Sequence, residues 1–212
     1  MTNLLRLRSP FGIATLALPI LLMAGCAELA PRTDTDVTAQ ATTPHRYRNT
    51  LDLDGRLSVQ YQRNNQDEAL HGSFTWRQTA QRNAITLLSP LGQTLATITV
   101  EPGSATLTES GKAPRTASDV DALAAQSLGW PLPVAGLRNW LQGYATDANG
   151  KRFIASPNAN SVTTDDGWRL HYVSWDESDP ADTHPRRLDL ERETEQAGNV
   201  SIRIVIDNWQ TH

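Results

Sequence analysis

From Arg56 onward, hydrophobic and polar positions alternate with period two, the pattern of strands with one buried face. Leu57, Val59 and Tyr61 alternate with Arg56, Ser58, Gln60 and Gln62. Asn64-Asn65-Gln66-Asp67 reads as a turn, and Leu70, Gly72, Phe74 and Trp76 form the next face. A second pair, Ala84–Leu88 and Thr94–Val100, flanks Ser89-Pro90-Leu91-Gly92-Gln93, and a short strand follows over Ala105–Thr108. Past Gly143, strands are expected at Phe153-Ile154, over Trp168, Leu170 and Tyr172, at Leu188 and Leu190, and over Val200–Ile206. The count is about ten strands joined by short polar turns, with no internal repeat.

One stretch breaks the alternation. Ser118–Gly143 reads as two short helices hinged at Leu128-Gly129-Trp130-Pro131-Leu132-Pro133. Ser118 fits an N-cap with Asp119 and Asp121 in the first turn, and Gly129 fits a C-cap. Pro133 can open the second helix, in which Val134, Leu137 and Leu141 share a face widened by Trp140. A lone amphipathic pair in a strand-rich chain must bury its apolar face on a sheet, and a sheet of this many strands curls or closes. The core-facing positions carry Phe74, Trp76, Trp168 and Tyr172, with Trp130 and Trp140 on the helical segment. A filled core and an aromatic-walled cavity under a helical lid place these residues alike, so patterning leaves both open.

The first residues set the compartment. Arg6 and Arg8 precede an uncharged run from Phe11 to Gly25, shorter than the ~20 apolar residues of a spanning helix and so an export signal. It ends in Leu22-Met23-Ala24-Gly25-Cys26, which resembles a bacterial lipobox with Met23 at the usual leucine position. The alternative is an ordinary signal with a chance cysteine. The lipobox resemblance makes Cys26, the only cysteine in the chain, the lipidated mature N-terminus. Ala27 is not the aspartate that retains such proteins in the inner membrane, which by the same analogy implies the outer membrane. The expected layout is a signal over 1–25, a lipidated cysteine and flexible tether over 26–45, and one domain over 46–212. Glu28–Pro44 is Thr-, Asp- and Ala-rich without periodicity, and would span about 20–25 Å as a coil.

Charge narrows the partners. Losing residues 1–25 with their two arginines leaves 187 residues, 17 basic against 23 acidic, a net charge of −6. No basic patch offers itself to nucleic acid or anionic headgroups, so the lipid must hold the domain at the membrane. With no second cysteine for a disulfide, the fold rests on its core.

Candidate chemistry is sparse. His45, His71, His171, His184 and His212 have neither metal-ligand spacing nor a cysteine neighbour, and no serine sits in a Gly-x-Ser-x-Gly elbow. Pro180 interrupts Asp176, Glu177, Asp179 and Asp182, which read as a solvated acidic loop rather than a calcium site. Asp189, Glu191 and Glu193, beside Arg187 and Arg192, read as a soluble outer face. No enzymatic activity and no cofactor are expected. Leu91 stands out instead: an apolar residue between Pro90 and Gly92, where turn chemistry expects polar ones. It reads either as folded back on the sheet rim or as a protruding membrane contact, with Pro90, Leu91 and Gly92 forming the contact loop.

Taken in order, the lipobox, Gly55-Arg56-Leu57, Gly72-Ser73-Phe74-Thr75-Trp76, Ser89-Pro90-Leu91-Gly92, Gly129-Trp130-Pro131-Leu132-Pro133, Leu137–Gly143 and Asp207-Asn208-Trp209 resemble the LolB family of outer-membrane lipoproteins. The resemblance spans the chain, and its most specific part is the hinge with the helix after it. It implies a mainly β fold, an unclosed antiparallel β-barrel with a short helical lid over an apolar cavity. It also implies a lipid-anchored, periplasm-facing monomer that takes acylated lipoproteins from a LolA-like periplasmic carrier and inserts them into the outer membrane. The expected cavity residues are Phe74, Trp76, Ile98, Trp130, Trp140, Trp168, Leu170 and Ile204. The rival readings are a glycan- or peptidoglycan-binding lipoprotein with exposed tryptophans and a purely structural envelope lipoprotein.

Overall fold

The computed structural model describes residues 46–212; the signal, Cys26 and tether expected before them lie outside the described residues. Six strands come first: β1 (Leu51–Arg63), β2 (Gln66–Gln78), β3 (Asn83–Leu88), β4 (Thr94–Glu101), β5 (Ser104–Glu109) and β6 (Arg115–Ala117). Helices α1 (Val120–Leu128) and α2 (Val134–Trp140) follow, then a small hairpin of β7 (Tyr144–Thr146) and β8 (Arg152–Ile154). The chain ends with β9 (Ser161–Thr163), β10 (Arg169–Asp176), β11 (His184–Thr194) and β12 (Gly198–Thr211).

Ten of these strands form one antiparallel sheet in the order β6-β5-β4-β3-β2-β1-β12-β11-β10-β9. Every neighbour is a sequence neighbour except β1 and β12, which meet in the middle. The ends of the order, β6 and β9, do not pair, so the barrel is unclosed. The segment between them in sequence, α1 through β8, packs its apolar side chains into the same core as the sheet. Strands, helices and core all fall within one compact unit, residues 42–212, whose buried cluster is drawn from its own elements. A compact unit with a core of its own is one that can in principle fold alone.

Alternation fixes which face is inside. Leu51, Leu53, Leu57, Val59 and Tyr61 are buried on β1, and Val200, Ile202, Ile204 and Ile206 on β12. On the outer face of that seam Arg56 makes two hydrogen bonds to the Asp207 carboxylate, at 2.8 and 2.7 Å. The acidic loop is less solvated than its composition implies. Asp182 accepts from Arg48 at 2.8 Å and from the Trp209 indole at 3.1 Å.

Three sequence expectations are corrected. Helix α1 is capped by Asp119, not Ser118, because the Asp119 carboxylate accepts from the backbone N–H of Asp121 and Ala122. The β1–β2 turn is Asn64-Asn65 alone, both with positive φ (51° and 64°), the two-residue geometry whose twist suits a hairpin. Strands β6, β7 and β9, three residues each, were not expected, since three residues are too few to show a period.

Candidate functional site

The helical pair is seated on the buried face of the sheet. Val120, Leu123 and Ala124 of α1 and Val134, Leu137 and Trp140 of α2 are buried there. Pro133 has no side chain to cap α2, and Asp121 of α1 supplies the missing acceptor by taking the Ala135 N–H at 3.0 Å. One aspartate thus caps each helix, and the two are tied into a single piece. Burial, then the neighbouring Asp119 and Asp166 carboxylates, push the Asp121 carboxyl above the ordinary aspartate range against the pull of those backbone donors.

Polar latches hold this piece down at both ends. Arg138 donates to the buried Asn83 carboxamide and to the Thr79 carbonyl, the latter at 2.7 Å. Gln142, buried just past α2, clamps the Arg48 backbone from both sides: its oxygen accepts from Arg48 N at 2.7 Å and its amide donates to Arg48 O at 3.1 Å. Gln78 also donates to that carbonyl, at 3.2 Å. At the hinge, Trp130 packs on Tyr61 with ring centroids 6.4 Å apart. Arg115 of β6 donates to Ser127 of α1 at 2.9 Å.

Between α2 and the sheet remains a void of about 30 Å³ whose lining is apolar throughout. Leu132, Val134, Leu137 and Leu141 form its roof, and Leu57, Phe74, Trp76, Ile85, Leu87, Ile202 and Ile204 form its floor. A lipid-sized ligand needs several hundred cubic ångströms, so with the lid seated this is a plugged site rather than an open one. A larger groove of about 620 Å³ lies on the other side of α2, but it is open and lined by Asp121, Asn139, Arg152 and Asp165, which suits no acyl chain.

The structure distributes the expected cavity residues unevenly. Phe74, Trp76 and Ile204 line the void. Ile98, Trp130, Trp140, Trp168 and Leu170 are buried in the same core without reaching it. Trp140 instead lies back along its own helix against Gly136, where an added Cβ would come within 2.3 Å of the indole, and meets Trp168 with centroids 6.5 Å apart. Of the other floor residues, Leu57 and Ile202 fell in alternating sets and Ile85 and Leu87 only within an expected strand, and alternation does not say which level of a strand faces the void.

At the tip of the β3–β4 connection Leu91 is 87 % exposed. The loop that carries it is braced internally. The Ser89 hydroxyl accepts from Leu91 N at 3.3 Å and Gln93 N at 3.2 Å, and Ser89 N donates to the Gln93 carbonyl at 2.8 Å. Leu91 is therefore held out on a fixed stem rather than folded onto the rim.

The family described as "Outer membrane lipoprotein LolB" matches residues 49–209, the whole of the sheet and lid. The chain belongs to the LolB family. A LolB of Cupriavidus necator is 40 % identical over 193 residues, covering 91 % of this chain and 92 % of that one. One of Cupriavidus taiwanensis is 39 % identical over 201 residues, covering 92 % and 95 %. Among solved structures, a LolA superfamily protein of Nitrosomonas europaea aligns at a TM-score of 0.43 and 8 % identity over 81 % of this chain and 90 % of that one, too loosely to bear on function. LolB proteins are outer-membrane lipoproteins with a part in lipoprotein transport, and this chain shares that localisation and role. Among the described residues no helix is long and apolar enough to cross a membrane.

Proposed function

We infer that this LolB family member receives the acyl chains of lipoproteins from a LolA-like periplasmic carrier into the space now plugged by its helical lid, and passes them to the outer membrane. The observation that carries the reading is the apolar lid seated by polar latches on an unclosed apolar sheet, with an apolar void already begun beneath it. Lifting α2 uncovers Leu132, Val134, Leu137 and Leu141, at about 1.5–3 kcal/mol each if fully exposed. A cargo chain of about fifteen methylenes recovers on the order of 12 kcal/mol, at roughly 0.8 per methylene. The exchange is near balance, as an intermediate carrier requires. Handover without an energy source needs only that the acceptor bind the chains more tightly than the donor, and the bilayer more tightly still.

Cys26 is the proposed lipidation site, and Leu91, between Pro90 and Gly92, the proposed membrane contact. A sugar-binding face is disfavoured because Trp130, Trp140 and Trp168 are at most 5 % exposed. The test is a fluorescent fatty-acid probe titrated against the domain. Saturable binding, displaced by long-chain acyl competitors, is the expected result, and binding that never saturates returns the site to a filled structural core.

A further inference from the structure

Among the described residues, the interior of the sheet holds a large polar group that its surroundings leave unserved. Tyr172 is 1 % exposed on β10, and no described residue gives its hydroxyl a hydrogen bond. The ring itself is well placed, stacked on Phe153 at 6.5 Å and on Trp175 at 5.9 Å between centroids. Phenylalanine would keep those stacks without burying an unpaired oxygen, so packing alone does not account for tyrosine here. By contrast, the buried Trp76 indole donates to Gln78 at 3.2 Å, and the Thr164 hydroxyl to the Trp168 carbonyl at 3.2 Å.

Its position points to a use. The pairings place Leu57, Ile204, Leu188 and Tyr172 in one inward row across four adjacent strands. Leu57 and Ile204 are floor residues of the void. Adjacent strands lie about 4.8 Å apart, so Tyr172 stands about 10 Å across the sheet from Ile204, two strands beyond the edge of the void. Burial pushes its phenol well above the ordinary tyrosine range, which keeps it a proton donor at any physiological pH. Acyl chains enter an apolar site with one polar feature each, the ester or amide carbonyl at their head. That oxygen loses its water on entry and needs a donor; among the residues lining the void the one N–H, the Trp76 indole, is already given to Gln78.

We propose that the Tyr172 hydroxyl is the internal hydrogen-bond donor for the ester or amide carbonyl of a cargo acyl chain, fixing how far the chain enters. The inference rests on the acyl-carrier reading above. One polar group in an apolar pocket orients a ligand that the walls would hold in any register.

The test compares wild type and Tyr172→Phe, as the domain of residues 42–212, against two probes: a synthetic triacylated lipopeptide and its analogue with ether and alkylamine links in place of every acyl carbonyl. The substitution is expected to weaken the lipopeptide about tenfold, leave the carbonyl-free analogue unchanged, and leave the thermal stability of the free domain equal or higher. The infrared ester band of bound lipopeptide is expected to lie lower with wild type than with Tyr172→Phe. Equal effects on both probes, no effect on either, or a less stable free domain would each overturn the proposal; the last would mean that the hydroxyl is already satisfied at rest. If wild type binds neither probe, the acyl-carrier reading fails and takes this inference with it.

Discussion

At the scale of single residues, the clearest division of labour is between Leu91 and the stem beneath it. Leu91 is exposed at the tip, while Ser89 makes the hydrogen bonds that hold the tip out. A leucine buried in a bilayer contributes about 1.5–3 kcal/mol, enough to bias the orientation of an anchored domain and too little to anchor it. Leu91→Glu is therefore expected to leave the thermal transition and fatty-acid binding unchanged while slowing transfer of bound lipoprotein into liposomes several-fold. Loss of binding in that variant would place Leu91 in the core instead. The odd leucine was visible in the sequence because turn chemistry made it an anomaly. Gly72 was visible as a face position and as part of a motif, but the reason for a glycine is steric: a Cβ there would lie 2.2 Å from the Leu88 carbonyl oxygen, where β3 turns into the Leu91 loop. No one-dimensional pattern reports such a close approach.

At the scale of elements, the lid behaves as one body with identifiable fasteners. Arg138→Met removes the donor to Asn83, whose side chain stays buried, and is expected to cost about 1–3 kcal/mol while speeding probe uptake. Urea unfolding and stopped-flow fluorescence would measure the two effects. Asp121 gives a pH signature. Its folded pKa is raised, chiefly by burial, so between the ordinary aspartate value and the raised one the native state holds more protons than the unfolded chain. Stability therefore falls as pH rises through that window, and above it the ionised carboxylate is a standing cost. Asp121→Asn keeps an acceptor for the Ala135 N–H and is expected to flatten that part of the Tm–pH profile, with no loss at neutral pH. The helices themselves were legible from Gly129, the prolines and the apolar spacing. The fasteners were not: Gln142 and Arg48 are 94 residues apart, and nothing local in a glutamine says that it will be buried against a particular backbone.

At the scale of the whole molecule, a sheet of about ten strands followed from counting alternating segments, because each long strand buries one face; that it stays unclosed was implied only by the resemblance to the LolB family. The order of those strands holds a consequence for how the protein is made. The first strand and the last pair at the centre, Leu51 with Thr211 and Gln60 with Ser201, so the core of the first half stays open until the final residues arrive. Contacts of such sequence separation are slow to form, and no amino-terminal fragment can complete them. Deleting 198–212 is expected to leave no cooperative unfolding transition by circular dichroism, although most of the sheet's residues remain. For a lipoprotein that must cross the inner membrane before it reaches the outer one, this is an advantage in timing. A chain that cannot complete its core until β12 appears stays unfolded and threadable for as long as β12 is still in transit.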